Sequence, residues 1–136
     1  MKKITVLYLS TKYTKTTNLK TFILNYKKFK SGIKHQLVIC LKNLDLKELE
    51  NRKKLLKKIK HIEYIDPSQE NDHEWGSIAR VSKKFNPSIF FYINDYSYPI
   101  KNNWLKIISS KYKKKKNYWL YCFFFKLGYK FILQKV

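Results

Sequence analysis

The stretch Ser88-Ile-Phe-Phe-Tyr-Ile-Asn-Asp-Tyr-Ser-Tyr-Pro99 constrains this chain most. Ile89 to Ile93 is an aromatic and β-branched run without a charge, in a chain whose residues are 29% charged. A half-exposed strand would alternate apolar with polar, so an unbroken run reads as a strand buried on both faces. It breaks off into Asn94, Asp95 and Ser97, and Pro99 ends the pairing. In open α/β sheets, ligands bind just beyond the carboxyl ends of the strands. The polar cluster after Ile93 is therefore where a site is expected.

The rest of the chain supplies a matching scaffold. Ile4 to Leu9 is a mostly apolar strand ending in Ser10-Thr11. A polar connection runs from Tyr13 to Asn18, and Asn18 is placed to cap a helix. That helix carries Leu19, Phe22, Ile23, Tyr26 and Phe29 at helical spacing. Gly32 stands where a helix end favours a left-handed residue. Gln36 to Leu41 is a second strand, followed by Lys42-Asn43. Asp45 with Glu48 has capping-box spacing, and the helix it opens puts Leu46, Leu49, Leu56 and Ile59 on one face. Its lysine run from Lys53 to Lys60 reads as a solvated face.

His61 to Ile65 is a shorter strand ended by Asp66-Pro67-Ser68, with a polar loop from Gln69 to His73. A third helix is expected from about Glu74 to Phe85, with Trp75, Ile78, Ala79, Ser82 and Phe85 on one side, ended by Asn86-Pro87. After the central strand, a fourth helix from about Lys101 turns Trp104, Ile107 and Ile108 inward. The order β-α-β-α-β-α-β-α predicts an α/β fold with a mostly parallel, Rossmann-like sheet and right-handed crossovers. The expected strand order is 3-2-1-4, which brings the Ser10-Thr11 and Asn94–Ser97 ends together at the switch point.

The chain has 136 residues, a length suited to one domain with a real core. A hydrophobic share of 44% excludes a disordered polyelectrolyte, although the net charge is +21. Such a charge raises nucleic acid or an anionic membrane surface as partners. The basic residues are nearly all lysine, with Arg52 and Arg80 the only arginines. Planar, bidentate readers of bases and phosphates are usually arginines. Lysine also shares A/T-rich codons with the abundant Asn, Ile, Tyr and Phe, so part of its excess reflects coding bias. No Gly-x-Gly-x-x-Gly and no Walker lysine loop occurs. Cys40 sits in an apolar run and reads as a small core residue, and Cys122 is isolated from it, so neither zinc nor a disulfide framework is indicated. The apolar run after Met1-Lys-Lys is too short for a signal peptide, which makes the cytoplasm the expected location.

From Lys113 the pattern changes, dividing an α/β domain over residues 1–112 from a tail over 113–136. Lys113 to Lys116 is a homopolymer, followed by Tyr118-Trp-Leu-Tyr-Cys-Phe-Phe-Phe125 and a mixed basic and apolar end. This run falls well short of the ~20 residues a membrane span needs. It admits three readings: a strand, an interfacial anchor at a membrane surface, or a frameshift product of slippage in the adenine tract that Lys113–Lys116 implies.

Asp72-His-Glu-Trp-Gly-Ser-Ile-Ala-Arg80, shortly followed by Phe91-Tyr-Ile-Asn-Asp-Tyr-Ser-Tyr-Pro-Ile-Lys-Asn-Asn-Trp-Leu105, resembles the nucleotide-sugar half of a GT-A-fold, family-2-like glycosyltransferase. In that family a Gly and an Ala-Arg pair open a helix, and an apolar strand then ends in an acidic cluster followed by Pro and an aromatic-Leu helix. The Asn-x-Tyr-Ser variant followed by Asn-Trp-Leu is similar to a bacterial subgroup. The likeness covers Ile4 to Leu105. It implies that Ser10 and Thr11 lie against the base or ribose, and that Asp72, Gly76 and Arg80 lie near the ribose and diphosphate of a nucleotide-sugar donor. It also implies that Asn94, Asp95 and Tyr96 stand where the family has its Asp-x-Asp motif, whose carboxylates hold a divalent cation (Mn²⁺ or Mg²⁺) on the diphosphate.

Here the flanking acids are replaced by Asn94 and Tyr96, leaving Asp95 as the one candidate metal ligand. Lysines or Arg80 are the other groups that would neutralise the diphosphate. No Asp or Glu follows Asp95, and a general base is normally a carboxylate or histidine. The resemblance thus implies a truncated transferase or a donor-binding half, serving a bacterial surface polysaccharide or lipid-linked acceptor. The lysines and aromatic tail would suit the inner face of the cytoplasmic membrane. The alternative class is a non-enzymatic lysine-rich α/β module binding nucleic acid or anionic surfaces, with steep salt dependence. Plainer readings of the single residues stand beside these: Trp75 and Trp104 as core anchors, Asp72 as a helix N-cap with Glu74 in the first turn, Asp95 as a turn residue, Arg80 as surface charge, and His61 and His73 as surface residues.

Overall fold

A computed structural model describes residues 3–67 and 72–111 with their side chains, and 112–114, 118–123 and 130–135 by backbone alone. The expected strand end at Ser68, the loop from Gln69 to Asn71, and Lys115, Lys116, Phe124 and Phe125 lie outside the described residues. The elements are β1 (Ile4–Thr11), α1 (Thr16–Lys28), β2 (Gln36–Lys42), α2 (Leu46–Leu56), β3 (Ile62–Ile65), α3 (His73–Phe85), β4 (Ile89–Ile93) and α4 (Trp104–Lys114). β1 to β4 form one sheet in the order β3-β2-β1-β4, and every pairing is parallel. In the tail, β5 (Tyr118–Phe123) and β6 (Lys130–Lys135) pair antiparallel as a separate two-stranded sheet. No helix among the described residues is long and apolar enough to cross a membrane.

Because side chains alternate along a strand, each strand of the sheet serves two layers. Val6 and Tyr8 of β1, Leu37 and Ile39 of β2, and Phe91 and Ile93 of β4 face one side. There they meet Leu19, Phe22 and Ile23 of α1, Leu56 of α2, and Trp104, Leu105 and Ile108 of α4. Tyr8 stacks on Phe22 with ring centroids 4.1 Å apart. On the other side Leu7, Leu9, Val38, Cys40, Tyr64 and Tyr92 pack under Ile78, Val81 and Phe85 of α3. Burying one large apolar side chain stabilises by about 1.5–3 kcal/mol, so the first, larger cluster carries most of the fold.

Several local expectations shift. The Asp45–Glu48 capping box forms, with the Glu48 N–H donating to Asp45 Oδ1 at 2.7 Å. Leu46, however, is 82% exposed, and the inward position between Leu49 and Leu56 is taken by Arg52. α1 starts at Thr16 with Lys15 at its N-cap, so Asn18 lies inside the first turn rather than capping it. The reason is a tight turn after β1, in which the Thr14 N–H donates to the Thr11 carbonyl at 3.0 Å and brings the chain into the helix early. Gly32 does adopt φ +76°, but beyond Phe29, which already ends α1. Its task is close approach, since a Cβ there would lie 2.4 Å from Asn103 Oδ1. The Lys30 and Ser31 carbonyls beside it accept the Asn103 and Lys106 N–H groups at 2.7 and 3.1 Å and so secure the start of α4. Trp104 is buried as expected, whereas Trp75 is 52% exposed, because the inward positions of α3 are Ser77 and Val81.

Candidate functional site at the switch point

The period-two alternation that builds the α3-side cluster continues past it. Leu7 and Leu9 are followed on that face by Thr11, Val38 and Cys40 by Lys42, and Tyr64 by Asp66. The Asp66 N–H donates to the Leu41 carbonyl at 2.9 Å, which extends the sheet by one residue. Three strands thus each present a polar side chain at their carboxyl end, on one face.

α3 supplies the partners. Arg80 grips the Asp66 carboxylate through Nε at 2.9 Å and Nη2 at 2.8 Å, while Ser77 Oγ donates to Asp66 Oδ2 at 2.5 Å. The third arm of the guanidinium, Nη1, reaches Asp72 Oδ2 at 2.6 Å. Lys42, although almost fully buried, ion-pairs with the same Asp72 carboxylate and donates to the His73 carbonyl at 2.7 Å. Asp72 stands at the N-cap position of α3 but caps nothing with its side chain. Arg80, in turn, is a structural bridge rather than free surface charge. Hydrogen bonds from Arg80 first, then Lys42, hold the Asp72 carboxyl far below the usual carboxylate range. Gly76 makes room for this, since a Cβ there would fall 1.7 Å from Asp72 Oδ2.

The opposite wall comes from β1, α2 and the turn after β4. The Asn94 carbonyl accepts the Ser97 N–H at 3.1 Å, and Asn94 Oδ1 accepts the Tyr96 N–H at 3.2 Å and the Ser97 hydroxyl at 2.6 Å. This turn re-aims Asp95 toward the cleft, where the Thr14 hydroxyl bonds its carboxylate. Burial nevertheless raises the Asp95 pKa, with nearby Glu74 adding to the effect. Glu74 accepts the Tyr92 hydroxyl at 2.6 Å. Beneath the loop, Arg52 donates to Ser10 Oγ at 2.5 Å and to the Thr14 carbonyl at 2.7 Å. It is buried without a carboxylate among the described ion pairs, and desolvation lowers its pKa.

Between these walls lies a cleft of about 440 Å³, in the range of small-molecule sites. Of the residues expected at a site, Thr11 and Asp95 line it, and Asp72, Gly76 and Arg80 form the network at its rim. Ser10 points to the other face and is held there by Arg52, Asn94 is spent within its turn, and Tyr96 is 71% exposed outside the lining. His73 is exposed and His61 half-buried, and neither is matched with metal ligands. Sequence reasoning missed Lys42, Arg52, Tyr13 and Tyr92. A lysine closing an apolar strand, and a rare arginine at an inward helical position, were the available signals for the first two.

The network balances its own charge: Lys42 and Arg80 against Asp66 and Asp72. Glu74 and Asp95 are left as acids facing the cleft. Among the described residues no group of three or more His, Cys, Asp or Glu could hold a metal ion by itself. Burial pushes the Cys40 thiol up to about 12, which removes it as a nucleophile. Comparison with family models, curated proteins and solved structures finds no match to this chain.

Proposed function

We propose that this chain is the donor-binding domain of a nucleotide-sugar-dependent glycosyltransferase acting on a bacterial surface polysaccharide or lipid-linked acceptor. The observation that carries this reading is a cleft at the carboxyl ends of the strands, lined by Thr11 of β1 and by Asp95 after β4, with the Asp72–Arg80 pair tied to its wall through Lys42. Tyr13 and Trp75, 74% and 52% exposed on the cleft lining, offer flat faces for a base or sugar. Asp72, kept ionised, is an acceptor for ribose hydroxyls. Arg80 is a positioning residue, because all three of its arms are committed to Asp66 and Asp72. With Glu74 and Asp95 facing the cleft, a diphosphate needs a counter-charge. A divalent cation on Asp95 would supply it as a Lewis acid for the leaving group. The exposed lysines suit a seat at an anionic leaflet, each contributing about 1 kcal/mol there.

The test is a thermal-shift titration with UDP, GDP, dTDP and CDP, with and without Mn²⁺. A ligand at about 100 Kd stabilises the native state by roughly 2.7 kcal/mol. One nucleotide is expected to shift Tm by several degrees, and Asp95→Asn to remove the Mn²⁺-dependent part. A flat response, or an equal shift with tripolyphosphate, rejects the donor site.

A further inference from the structure

The opposite end of the sheet carries a second groove that the donor site does not use. It measures about 430 Å³ and lies between the ends of α1 and α2 and the starts of β2 and β3. Its apolar floor is Ile62, 39% exposed, with the edges of the buried Leu37 and Ile59. Its charge comes from Lys27, Lys58 and Lys60, none of which forms an ion pair among the described residues. Among the described residues no carboxylate lines it. The nearest acid in sequence, Glu63, is taken by Lys53 at 2.8 Å and is not part of the lining.

Lysines commonly collect where helices end. Each helix end carries about half a negative charge, so two ends offset roughly one of the three lysines. A clear positive excess remains. The wall is also rigid. Tyr26 Oη lies 2.7 Å from His35 Nε2, and His35 Nδ1 lies 3.1 Å from the Ile33 carbonyl. A carbonyl only accepts, so Nδ1 carries the hydrogen and the tyrosine hydroxyl donates to Nε2. Burial lowers the His35 pKa and keeps the ring neutral, and the ring packs edge-on to Trp104 at 6.0 Å. A fixed aromatic wall, an apolar floor and unpaired lysines together select an anion that has an apolar body.

We propose that this groove binds an organic phosphate, with its body on Leu37, Ile59 and Ile62 and its phosphate among Lys27, Lys58 and Lys60. The site is independent of the donor cleft.

Calorimetric titration of the full chain with phenyl phosphate tests it. Saturable one-to-one binding is expected, at least tenfold weaker in K58Q/K60Q and within twofold of the parent in K83Q/K84Q. The second pair makes the same charge change on exposed positions of α3. Inorganic phosphate should bind more weakly than phenyl phosphate. Vesicles of phosphatidic acid in phosphatidylcholine distinguish the source of the phosphate. Vesicle binding displaced by phenyl phosphate assigns the groove to a lipid headgroup, and its absence alongside phenyl phosphate binding assigns it to a soluble ester. The proposal is overturned by no saturable binding, by equal loss in K83Q/K84Q, or by inorganic phosphate binding as tightly as the ester.

Discussion

The face of the sheet under α1, α2 and α4 is closed by apolar packing, whereas the carboxyl end of the face under α3 is closed by ions. On the first face Phe22, Tyr8, Ile39, Phe91 and Leu105 are all buried, and Arg52 enters only to tie the β1–α1 loop. On the second, the smaller cluster around Val81 gives way to Asp66, Arg80, Asp72 and Lys42. Apolar burial is non-directional and tolerates small rearrangements at modest cost. Ionic hydrogen bonds are directional, and removing one member leaves the buried Lys42 or Asp66 unsatisfied. One face therefore holds the fold, and the other fixes side chains at the cleft.

Substitutions on the two faces should separate these roles. The largest expected effect is Phe22→Ala, about 4 kcal/mol by urea unfolding, with the cost set by the cavity left behind. On the ionic face, Asp66→Ala should cost about 3 kcal/mol, because it strands Ser77 and the partly exposed Arg80. Asp66→Asn, of the same shape, should recover part of that loss. A third substitution, Gly76→Ala, should cost about 2 kcal/mol by forcing the Asp72 carboxylate away. It should spare near-UV signals from the Tyr8–Phe22 stack; loss of those signals as well would mean that the faces are not separable.

The smallest effects concern pH and have opposite signs. Asp72 has a folded pKa below its ordinary 3.8. Its contribution is complete above that value and is lost as pH falls through the folded one. Asp72→Asn should lower Tm at pH 6 and flatten the acid limb of the stability profile. Asp95 has a raised pKa, so its ionisation costs stability above the unfolded value. Asp95→Asn should raise Tm at pH 7, and a fall would show that its bond from Thr14 outweighs its burial.

Much of the scaffold was readable from residue order. The apolar runs at Ile4, Gln36 and Ile89, the stripes at Phe22 and Ile108 and the Asp45–Glu48 box are local signals, and they place the elements within a few residues. Leu46 and Trp75 were misplaced because periodicity assigns a face to a residue without saying whether the next layer extends that far. At the site, Thr11, Asp72, Arg80 and Asp95 were singled out by motif. The partners of Asp72 and Arg80 were not, since Lys42 and Asp66 meet them only when the ends of two strands come under α3.

By itself, the sequence determined the alternation of strands and helices and, through chain order and crossover handedness, the parallel β3-β2-β1-β4 sheet. It did so because hydrophobic period and turn chemistry act over a few residues. Tertiary structure alone decided that Arg80 is clamped between two carboxylates, that Arg52 lies buried beneath the β1–α1 loop, and that Asp95 turns toward Thr14. Those outcomes depend on which polar groups meet once water is excluded, and that meeting is set by the register of neighbouring strands and the reach of α3.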